Sequence, residues 1–376
     1  MDFTKYEKKS YDKLCKKYDN FYESIKTEGE RCFKIDSFTI FNKDTKILTK
    51  TEKQKILEYW NKYIKNINLN YHRYYIDKNN KFDVRYIPDD IFVKYIDPYL
   101  NDRTLEPGVA DKNYFDLYFN DLPMPKTYVR MINGQLLNSK YEIITMDCAM
   151  DILCSCGQFV VKPSIASYGG KNIFFFKNVD YDTISQFLKK PPLKNLIFQE
   201  VLEQSKQTSY LHPESLNTIR IMTLMLDNEI VILPAALRIG VGESRVDNAS
   251  SGGIYCKINK DGSLANFAYD ALGNKFNNHP SGKLFGNVKI NSIEKINSLV
   301  KKAAQKLPHF RLIGWDIALN KDDNPVIIEA NLTMSGLDVI ETVCGPLFGE
   351  YTDKILDEIF IHPIKKERSM DISQYV

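Results

Sequence analysis

The chain has 376 residues, which is longer than one average domain, so its length predicts two or three domains. Hydrophobic residues make up 43% of the chain and aromatic residues 12%, a composition that supports a substantial core and excludes a disordered or collagen-like protein. No apolar run approaches the roughly 20 residues that cross a bilayer, so no transmembrane segment is predicted. The first residues lack the apolar stretch of a secretory signal, and we expect a cytoplasmic protein.

The charge is nearly balanced, with 51 Lys and Arg against 48 Asp and Glu and a net charge of +3. Residues 1–80 are more basic than the rest, a pattern that nucleic-acid or anionic-lipid surfaces also show. Because basic and acidic residues are interleaved there, we favour a solvated helical face and expect no nucleic-acid partner. The seven cysteines are an odd number, and Cys154 and Cys156 have no second Cys or His pair nearby. This pattern indicates buried thiols rather than a zinc site.

The first hundred residues have the apolar spacing of helices. Apolar side chains recur every three or four residues over 11–25, which predicts an amphipathic helix. A capping box that starts at Thr49 begins a second helix, and a third is expected after Pro88. A polar break is expected at residues 77–81. We therefore predict a mainly helical N-terminal region over residues 1–104.

From about residue 127 the sequence changes to strand-like runs separated by turns. The Asn133-Gly134 pair between two apolar runs predicts a β-hairpin. Helices are expected at 181–189 and 292–306. Without a regular alternation of strand and helix, the pattern predicts a mixed, largely antiparallel α+β body. The predicted strands after the hairpin are 158–162, 172–176, 196–201, 219–226, 229–238, 253–258, 311–319 and 325–331.

Three oxygen-bearing side chains are predicted to meet on one strand face. Glu329 and Asn331 are two positions apart on a strand, and a hairpin turn at 321–324 brings Asp316 opposite residue 328 or 329. Because the flanking strands are apolar, buried carboxylates there would need compensation, and a divalent cation such as Mg²⁺ would supply it. The alternative is a partly exposed strand face that water solvates.

Two further groups of residues suit anionic ligands. Lys162 ends a strand and precedes a loop with Gly169 and Gly170, where a cation and free backbone amides would face phosphate oxygens. A simple tight turn is the alternative. Arg220 and Arg238, on neighbouring strands, would direct two guanidinium groups to one phosphate or carboxylate. Here the alternative is a surface loop with ion pairs.

Taken in order, these segments resemble an ATP-grasp enzyme. The similarity covers about residues 105–345, and LNTIRI, ESRVDNASSGG and HPSGKLFG most resemble the sugar-transfer-associated ATP-grasp group found with bacterial capsule and exopolysaccharide genes. The resemblance implies an ATP-grasp fold of two α+β subdomains that clasp ATP, over 105–202 and 203–362, with a tail at 363–376. The matching segments are DK at 111–112, VVKPSIASYGGKNI at 160–173, IFQEVL at 197–202, LNTIRI at 216–221, ALRIGVGESRVDNASSGG at 236–253, and GWDIAL and VIIEANL within 314–332.

The resemblance also implies a role for each matching residue, with ATP and Mg²⁺ as cofactors. The implied ATP site has five parts: lysines for the phosphates, a glycine loop above them, a linker for adenine and ribose, polar residues for the transferred group, and a metal triad. His279 is either a substrate-binding residue or base, or simply a loop residue. In the order of the parts, the residues are Lys112 and Lys162; Ser167, Gly169 and Gly170; Glu200, Val201, Leu202 and Glu203; Arg220, Arg238 and Asn248; and Asp316, Glu329 and Asn331.

The activity that the resemblance implies is an ATP-dependent carboxylate–amine ligase that works through an acyl phosphate and needs no nucleophilic side chain. The expected substrates are a sugar (uronic) acid and an amino acid or amine, joined as an amide in surface polysaccharide biosynthesis. A nucleotide- or lipid-linked sugar is a further candidate partner. Two alternatives stay open: an ATP-grasp kinase acting on a sugar hydroxyl, and a non-catalytic nucleotide-binding partner of a glycosyltransferase.

Overall fold

A computed structural model describes residues 46–165, 172–248 and 251–363 of the chain. The helix predicted at 11–25 and the last residues of the tail lie outside these ranges. The chain divides into two compact units, one formed by residues up to Ile96 together with those from Phe348 onward, and the other by Asp97–Leu347. Across the described ranges, no helix is long and apolar enough to cross a membrane. The subdomain boundaries drawn from the sequence stay predictions.

The first unit is helical, as the apolar spacing predicted. Helix α1 (Lys50–Trp60) begins at the predicted capping box, in which Thr49 and Glu52 each accept a hydrogen bond from the other's backbone N–H. Helix α2 (Leu69–Asn79) runs through most of the predicted polar break, so that prediction is wrong up to Asn79, and the chain leaves the helix at Asn80 in the left-handed conformation. Tyrosines buried on its inner face stabilise α2 by packing, which outweighs the weak helix propensity of its sequence.

The remaining helical segments of the first unit are short. The helix predicted after Pro88 begins at Asp89, and its middle turn is π-helical. The segments are Asp89–Ile91, Phe92–Ile96, Gly349–Tyr351, Thr352–Leu356 and Asp357–Ile361.

The second unit contains a five-stranded sheet in the order β2-β1-β5-β3-β4, and every pair in it is antiparallel. Two helices, α3 (Met146–Ser155) and α4 (Tyr181–Lys189), cover the face that carries Val129, Phe159 and Phe198. Helix α3 was not predicted, whereas α4 was. The strands are β1 (Thr127–Ile132), β2 (Gln135–Asn138), β3 (Gln158–Pro163), β4 (Phe174–Lys177) and β5 (Leu196–Glu200).

The opposite face of this small sheet carries a row of residues in register. Lys162 pairs with Ile197, and Ile197 pairs with Arg130 on the far side. Because side chains alternate along a strand, all three point away from α3 and α4. This face therefore carries cationic side chains, while the face beneath the helices is apolar.

A seven-stranded antiparallel sheet forms the other half of the second unit, in the order β10-β9-β8-β7-β6-β11-β12. Helix α5 (Ile293–Gln305) packs on one face, over a core that includes Ile221, Trp315 and Ile317. Helix α6 (Leu337–Cys344) follows β12 and, like β9 and β10, was not predicted. The strands are β6 (Ile219–Leu226), β7 (Glu229–Ile239), β8 (Ile254–Ile258), β9 (Leu264–Asp270), β10 (Lys275–Phe276), β11 (Leu312–Leu319) and β12 (Pro325–Asn331).

The second unit also holds several single helical turns, two of which lie beside residues discussed below. They are Asp97–Leu100, Glu106–Val109, Lys112–Tyr114, Phe115–Tyr118, Lys206–Ser209 and Phe285–Asn287.

Candidate active site

Asp316 lies at the centre of the polar face of the large sheet. Strand β11 places it directly opposite Arg220 on β6 and Glu329 on β12, which confirms the predicted hairpin register. Arg220 donates from Nε to Asp316 Oδ1 at 2.7 Å and from Nη2 to Oδ2 at 3.1 Å. The ion pair is therefore bidentate, the strongest geometry available to a guanidinium and a carboxylate.

Arg238 reaches the same carboxylate from β7. Its Nη1 donates to Asp316 Oδ2 at 2.9 Å, so the two arginines meet over one anionic centre, as their strand positions predicted. Burial alone would raise the pKa of Asp316, but the two guanidinium groups outweigh burial and hold its pKa at about 2. We call Arg220, Arg238 and Asp316 the arginine hub. Its carboxylate is ionised at any physiological pH.

The loop after β7 adds two more acceptors to the hub. Arg238 Nη2 donates to Asn248 Oδ1 and lies 3.4 Å from a carboxylate oxygen of Asp247. The other oxygen of Asp247 accepts from the N–H of Thr218 at 2.8 Å and from the Thr218 hydroxyl. Burial raises the pKa of Asp247, an effect that Arg238 and these hydrogen bonds oppose. Arg238 is thus held by three acceptors at fixed positions.

Gly253 closes this loop in a position that only glycine can occupy. A Cβ atom at Gly253 would lie 2.2 Å from the carbonyl oxygen of Asp247. The N–H of Gly253 donates to the carbonyl of Asn248 at 3.0 Å. Sequence reasoning noticed the glycines but missed Asp247. The available signal was its position beside Asn248 in the same arginine-containing loop.

Lys112 joins the small sheet to Glu329 on the large one. Its Nζ lies 2.8 Å from Glu329 Oε1, and its backbone N–H donates to the carbonyl of Ser164 at 2.9 Å. The turn Lys112–Tyr114 begins at Asp111, whose side chain accepts from the N–H of Asn113. Lys112 is buried, so this contact fixes a cation beside Glu329.

Lys162 lies near the same place and is partly buried. Burial lowers its pKa to about 8, the charge of Lys112 acts in the same direction, and Glu329 opposes both. Within the described ranges, no carboxylate comes within ion-pair distance of its ammonium group. We call Lys112 and Lys162 the lysine pair. The charge of Lys162 is therefore not neutralised by an ion-pair partner among the described residues.

The three residues predicted to bind metal share one face but do not yet form a closed site. Asn331 donates from Nδ2 to the carbonyl of Gly314 at 3.1 Å and approaches Asp316 Oδ2 at 3.5 Å. In the part of the chain that the structure describes, Asn331 Oδ1 and Glu329 Oε2 accept no hydrogen bond, and no group of three His, Cys, Asp or Glu residues could hold a metal ion. Two open oxygens beside an ionised carboxylate fit Mg²⁺, which prefers oxygen ligands and keeps several waters.

The predicted adenine linker follows β5. Glu200 is tied to β1, since its side chain accepts from the N–H of Lys126 at 2.8 Å. Val201, Leu202 and Glu203 directly follow β5, and the next residue, Gln204, pairs with Asn320 in an isolated antiparallel bridge. The Glu203 side chain is exposed and lies 3.7 Å from Lys321.

The glycine loop residues Ser167, Gly169 and Gly170 lie outside the described residues. Arg245, on the loop after β7, stacks its guanidinium at 3.9 Å from the ring centre of Phe175 on β4. This contact connects the strand that follows the glycine loop with the loop that carries Asn248. The structure thus gathers Lys112, Lys162, Arg220, Arg238, Asn248, Asp316, Glu329 and Asn331 around the polar faces of the two sheets.

Two antiparallel α+β halves, with lysines on one sheet and an acidic, arginine-rich centre on the other, define a protein of the ATP-grasp class. Residues 92–350 match the family model for sugar-transfer associated ATP-grasp. The match covers more than half of the chain, which therefore belongs to the sugar-transfer-associated ATP-grasp family. The predicted family and fold class are confirmed.

No curated protein matches the chain. Among solved structures, the ATP-grasp ligase PsnB complexed with minimal precursor, Mg and ADP is 14% identical, with a TM-score of 0.41 and coverage of 69% of this chain and 62% of that one. D-alanyl-alanine synthetase A from Vibrio cholerae O1 biovar eltor str. N16961 is 11% identical, with a TM-score of 0.40 and coverage of 68% and 66%. N5-carboxyaminoimidazole ribonucleotide synthetase from Thermotoga maritima is 13% identical, with a TM-score of 0.39 and coverage of 72% of this chain and 53% of that one. The chain spans less than two thirds of the length of each.

Proposed function

We propose that the chain is an ATP-dependent carboxylate–amine ligase. The observation that carries the proposal is that Lys162, whose ammonium group has no described carboxylate within ion-pair distance, lies with Lys112 beside Glu329, which pairs across the strands with Asp316 of the arginine hub. Four cationic side chains and a pair of open oxygen ligands suit a polyphosphate with its metal ion better than any neutral ligand.

The lysine pair is suited to the phosphates of ATP. A bound polyphosphate would give Lys162 a negatively charged partner and would raise its pKa toward the ordinary value. Backbone groups of Val201, Leu202 and Glu203 would bind the adenine edge. Their position after β5 supports this assignment, because β5 is the neighbour of the strand that carries Lys162.

Glu329 and Asn331 would hold Mg²⁺ with their open oxygens, and Asp316 would add a third ligand. Bound there, Mg²⁺ would neutralise phosphate charge and orient the transferred group. Arg220 and Arg238 keep Asp316 ionised and in place, and Arg220 Nη1 donates to the carbonyl of Ser335 at 2.6 Å. The positioning of charge, rather than a nucleophilic side chain, is therefore what this chain contributes to the reaction.

The reaction would proceed in two balanced steps. A substrate carboxylate oxygen attacks the γ-phosphorus of ATP, and the bond to the β,γ-bridging oxygen breaks to release ADP. An amine then attacks the acyl carbon of the acyl phosphate, inorganic phosphate leaves, and the amine nitrogen loses a proton. The arginine hub would stabilise the oxygens that gain negative charge in both steps.

The substrate class is the finer part of the proposal. The family's association with sugar transfer supports a sugar (uronic) acid and an amino acid or amine as substrates in surface polysaccharide biosynthesis. The proposed location of this reaction is cytoplasmic. A nucleotide- or lipid-linked sugar is a further candidate for the carboxylate carrier.

The test is ADP release by purified protein with Mg²⁺ and pairs of uronic acids and amines, with hydroxylamine as a trap. We expect ADP release that requires the carboxylate, and a hydroxamate when hydroxylamine replaces the amine. Glu329→Gln and Asn331→Ala should abolish the Mg²⁺-dependent rate, while Asp322→Asn, on an exposed turn, should not. A stable phosphorylated hydroxyl product without any amine would reject the ligase in favour of a kinase. Absence of ATP binding would reject both.

A further inference from the structure

Two buried histidines hold the turn that leads from β7 into the loop of Asp247 and Asn248. His212 Nε2 lies 2.8 Å from the carbonyl oxygen of Gly242, and His279 Nε2 lies 2.9 Å from that of Gly240. Their ring centres are 5.8 Å apart, and the two side chains are only 5% and 2% exposed. They therefore grip both ends of one short turn, just after Arg238.

The other ring nitrogens are bound in matching ways. His212 Nδ1 accepts from the backbone N–H of Ser215 at 3.2 Å, and His279 Nδ1 accepts from the N–H of Ser281 at 3.1 Å. The hydroxyl oxygens of Ser215 and Ser281 also lie 3.0 and 2.7 Å from these Nδ1 atoms. Because a carbonyl can only accept, each Nε2 carries the proton that it donates to its glycine carbonyl.

Gly240 shows how closely this arrangement is fitted. Its N–H donates to Asn217 Oδ1 at 3.0 Å, so both of its backbone polar groups are bound by side chains. A Cβ atom at this position would lie 2.3 Å from Ser215 Oγ, which leaves room for glycine alone. The backbone two residues after Arg238 has little freedom to shift.

We propose that His212 and His279 are positioning residues that fix the turn at Gly240–Gly242 and thereby align Arg238 and Asn248 in the hub. The proposal deepens the proposed function and rests on it for the catalytic consequence. Neither histidine touches the hub itself. They act through the backbone that carries Arg238 at one end and Asn248 at the other.

Burial lowers the pKa of His279, and His212 and Lys283, the titratable groups that face it, act in the same direction, whereas the hydrogen bond to the Gly240 carbonyl opposes them. The neutral form of His279 is thus favoured at pH 7.

The first test is independent of any reaction. Imidazole nitrogen NMR of the wild-type protein should show a protonated, hydrogen-bonded Nε2 on both histidines at pH 7. An Nε2 without a proton on either ring, or titration of His279 at an ordinary histidine pKa, would overturn the proposal.

The second test uses a matched pair of variants. Glutamine places an amide N–H near the position of Nε2 and can still donate to Gly240, whereas asparagine reaches only the position of Nδ1. We expect His279→Asn to lower kcat about tenfold with KM for ATP unchanged, and His279→Gln to restore most of it. His309→Asn, at an exposed histidine, is the control. Equal kcat values for the Asn and Gln variants would overturn the proposal.

Limited trypsin digestion separates this proposal from the proposed function. Arg245 is exposed on the loop, so His279→Asn should speed cleavage there severalfold, and His279→Gln should not. If the wild type consumes no ATP with any carboxylate, the proposed function fails. The NMR and trypsin experiments still test whether His212 and His279 fix the turn. If the variants do not fold, the wild-type NMR measurement decides it alone.

Discussion

The arginine hub and the lysine pair are both polar sites on largely apolar sheets, but their charges are compensated in different ways. In the hub, the Asp316 carboxylate accepts from two guanidinium groups, and its pKa is held at about 2. In the lysine pair, Lys112 contacts one oxygen of Glu329, while burial lowers the pKa of Lys162 to about 8. The hub is complete without a ligand, whereas Lys162 has no described carboxylate within ion-pair distance and would gain stability when an anion binds.

This difference separates two contributions to a nucleotide site. A completed ion-pair network fixes geometry in advance and costs little to organise when substrate binds. A poorly compensated cation raises the free energy of the unliganded protein. An anionic ligand then binds more tightly, because it relieves the repulsion between Lys112 and Lys162. Variants in the first region should therefore change turnover and stability, and variants in the second should change nucleotide affinity.

The largest effect is expected for Asp316→Asn. The change leaves two buried guanidinium groups without their shared carboxylate, which costs about 3–5 kcal/mol of unfolding free energy. Turnover should fall by about 10²–10³-fold, because both the metal ligand and the alignment of the arginines are lost. Urea unfolding and ADP release measure the two quantities, with Asp322→Asn as control. Unchanged stability would show that the hub is not the compensated network described here.

Arg238→Lys should rank second. A single ammonium cannot reach Asp316, Asp247 and Asn248 together, so we expect turnover to drop about a hundredfold while ATP affinity changes little. Isothermal titration with ATP and a steady-state assay separate the two effects. Arg311→Lys, just before β11, is the matched control. A parallel loss of ATP affinity would move Arg238 from the hub into nucleotide binding.

Lys162→Met should weaken ATP binding by about 10- to 100-fold, because a charge-assisted hydrogen bond contributes about 1.5–3 kcal/mol. Calorimetry at pH 7 measures this, and Lys177→Met, exposed on the same sheet, is the control. An unchanged ATP affinity would contradict the assignment of Lys162 to the phosphates.

The same variant carries a pH signature. The pKa of Lys162 is about 8 in the folded chain against an ordinary value of 10.5, so the unfolded chain binds more protons between these pH values. Wild-type stability should therefore rise with pH across this window relative to Lys162→Met. A difference in stability that stays flat from pH 8 to 10.5 would show that the ammonium is solvated.

The smallest effect is expected for Thr218→Val. This near-isosteric change removes the hydroxyl that donates to Asp247 but keeps the backbone N–H, and should cost about 1 kcal/mol and lower turnover about fivefold. The control is Thr223→Val on β6, which removes the hydroxyl that accepts from the Trp315 indole N–H. This variant should lose a similar amount of stability and keep its turnover. Equal turnover in the two variants would show that Thr218 only stabilises the fold.

Much of the large sheet could be predicted because its strands alternate strictly and its turns are explicit. Asp316, Glu329 and Asn331 were placed on one face by counting alone, and the register between Asp316 and Glu329 is as predicted. What counting could not supply was the partner of each charge. Arg220 and Arg238 were expected to face a substrate anion, yet in the structure the anion that joins them is Asp316.

The missed elements share a physical cause. Helix α2 is rich in Tyr, His and Asn, which have weak helix propensity, and it is stabilised by packing that no local pattern reveals. Helix α3 carries two cysteines on a short amphipathic stretch, a composition that reads equally well as a loop. Asp247 was missed because its importance depends on Thr218, which is distant in sequence and adjacent only after β6 and β7 pair.

The antiparallel register at the hub also limits where this chain can change length. One residue inserted into β6 or β11 would turn Arg220 or Asp316 to the opposite face, into the apolar layer formed by Ile221, Trp315 and Ile317 beneath α5. An insertion between the exposed turn residues Lys321 and Asp322 would leave the pairing of β11 with β12 intact. Peptide tags, fluorescent labels and natural length variation should therefore be accepted at that turn and rejected one strand away.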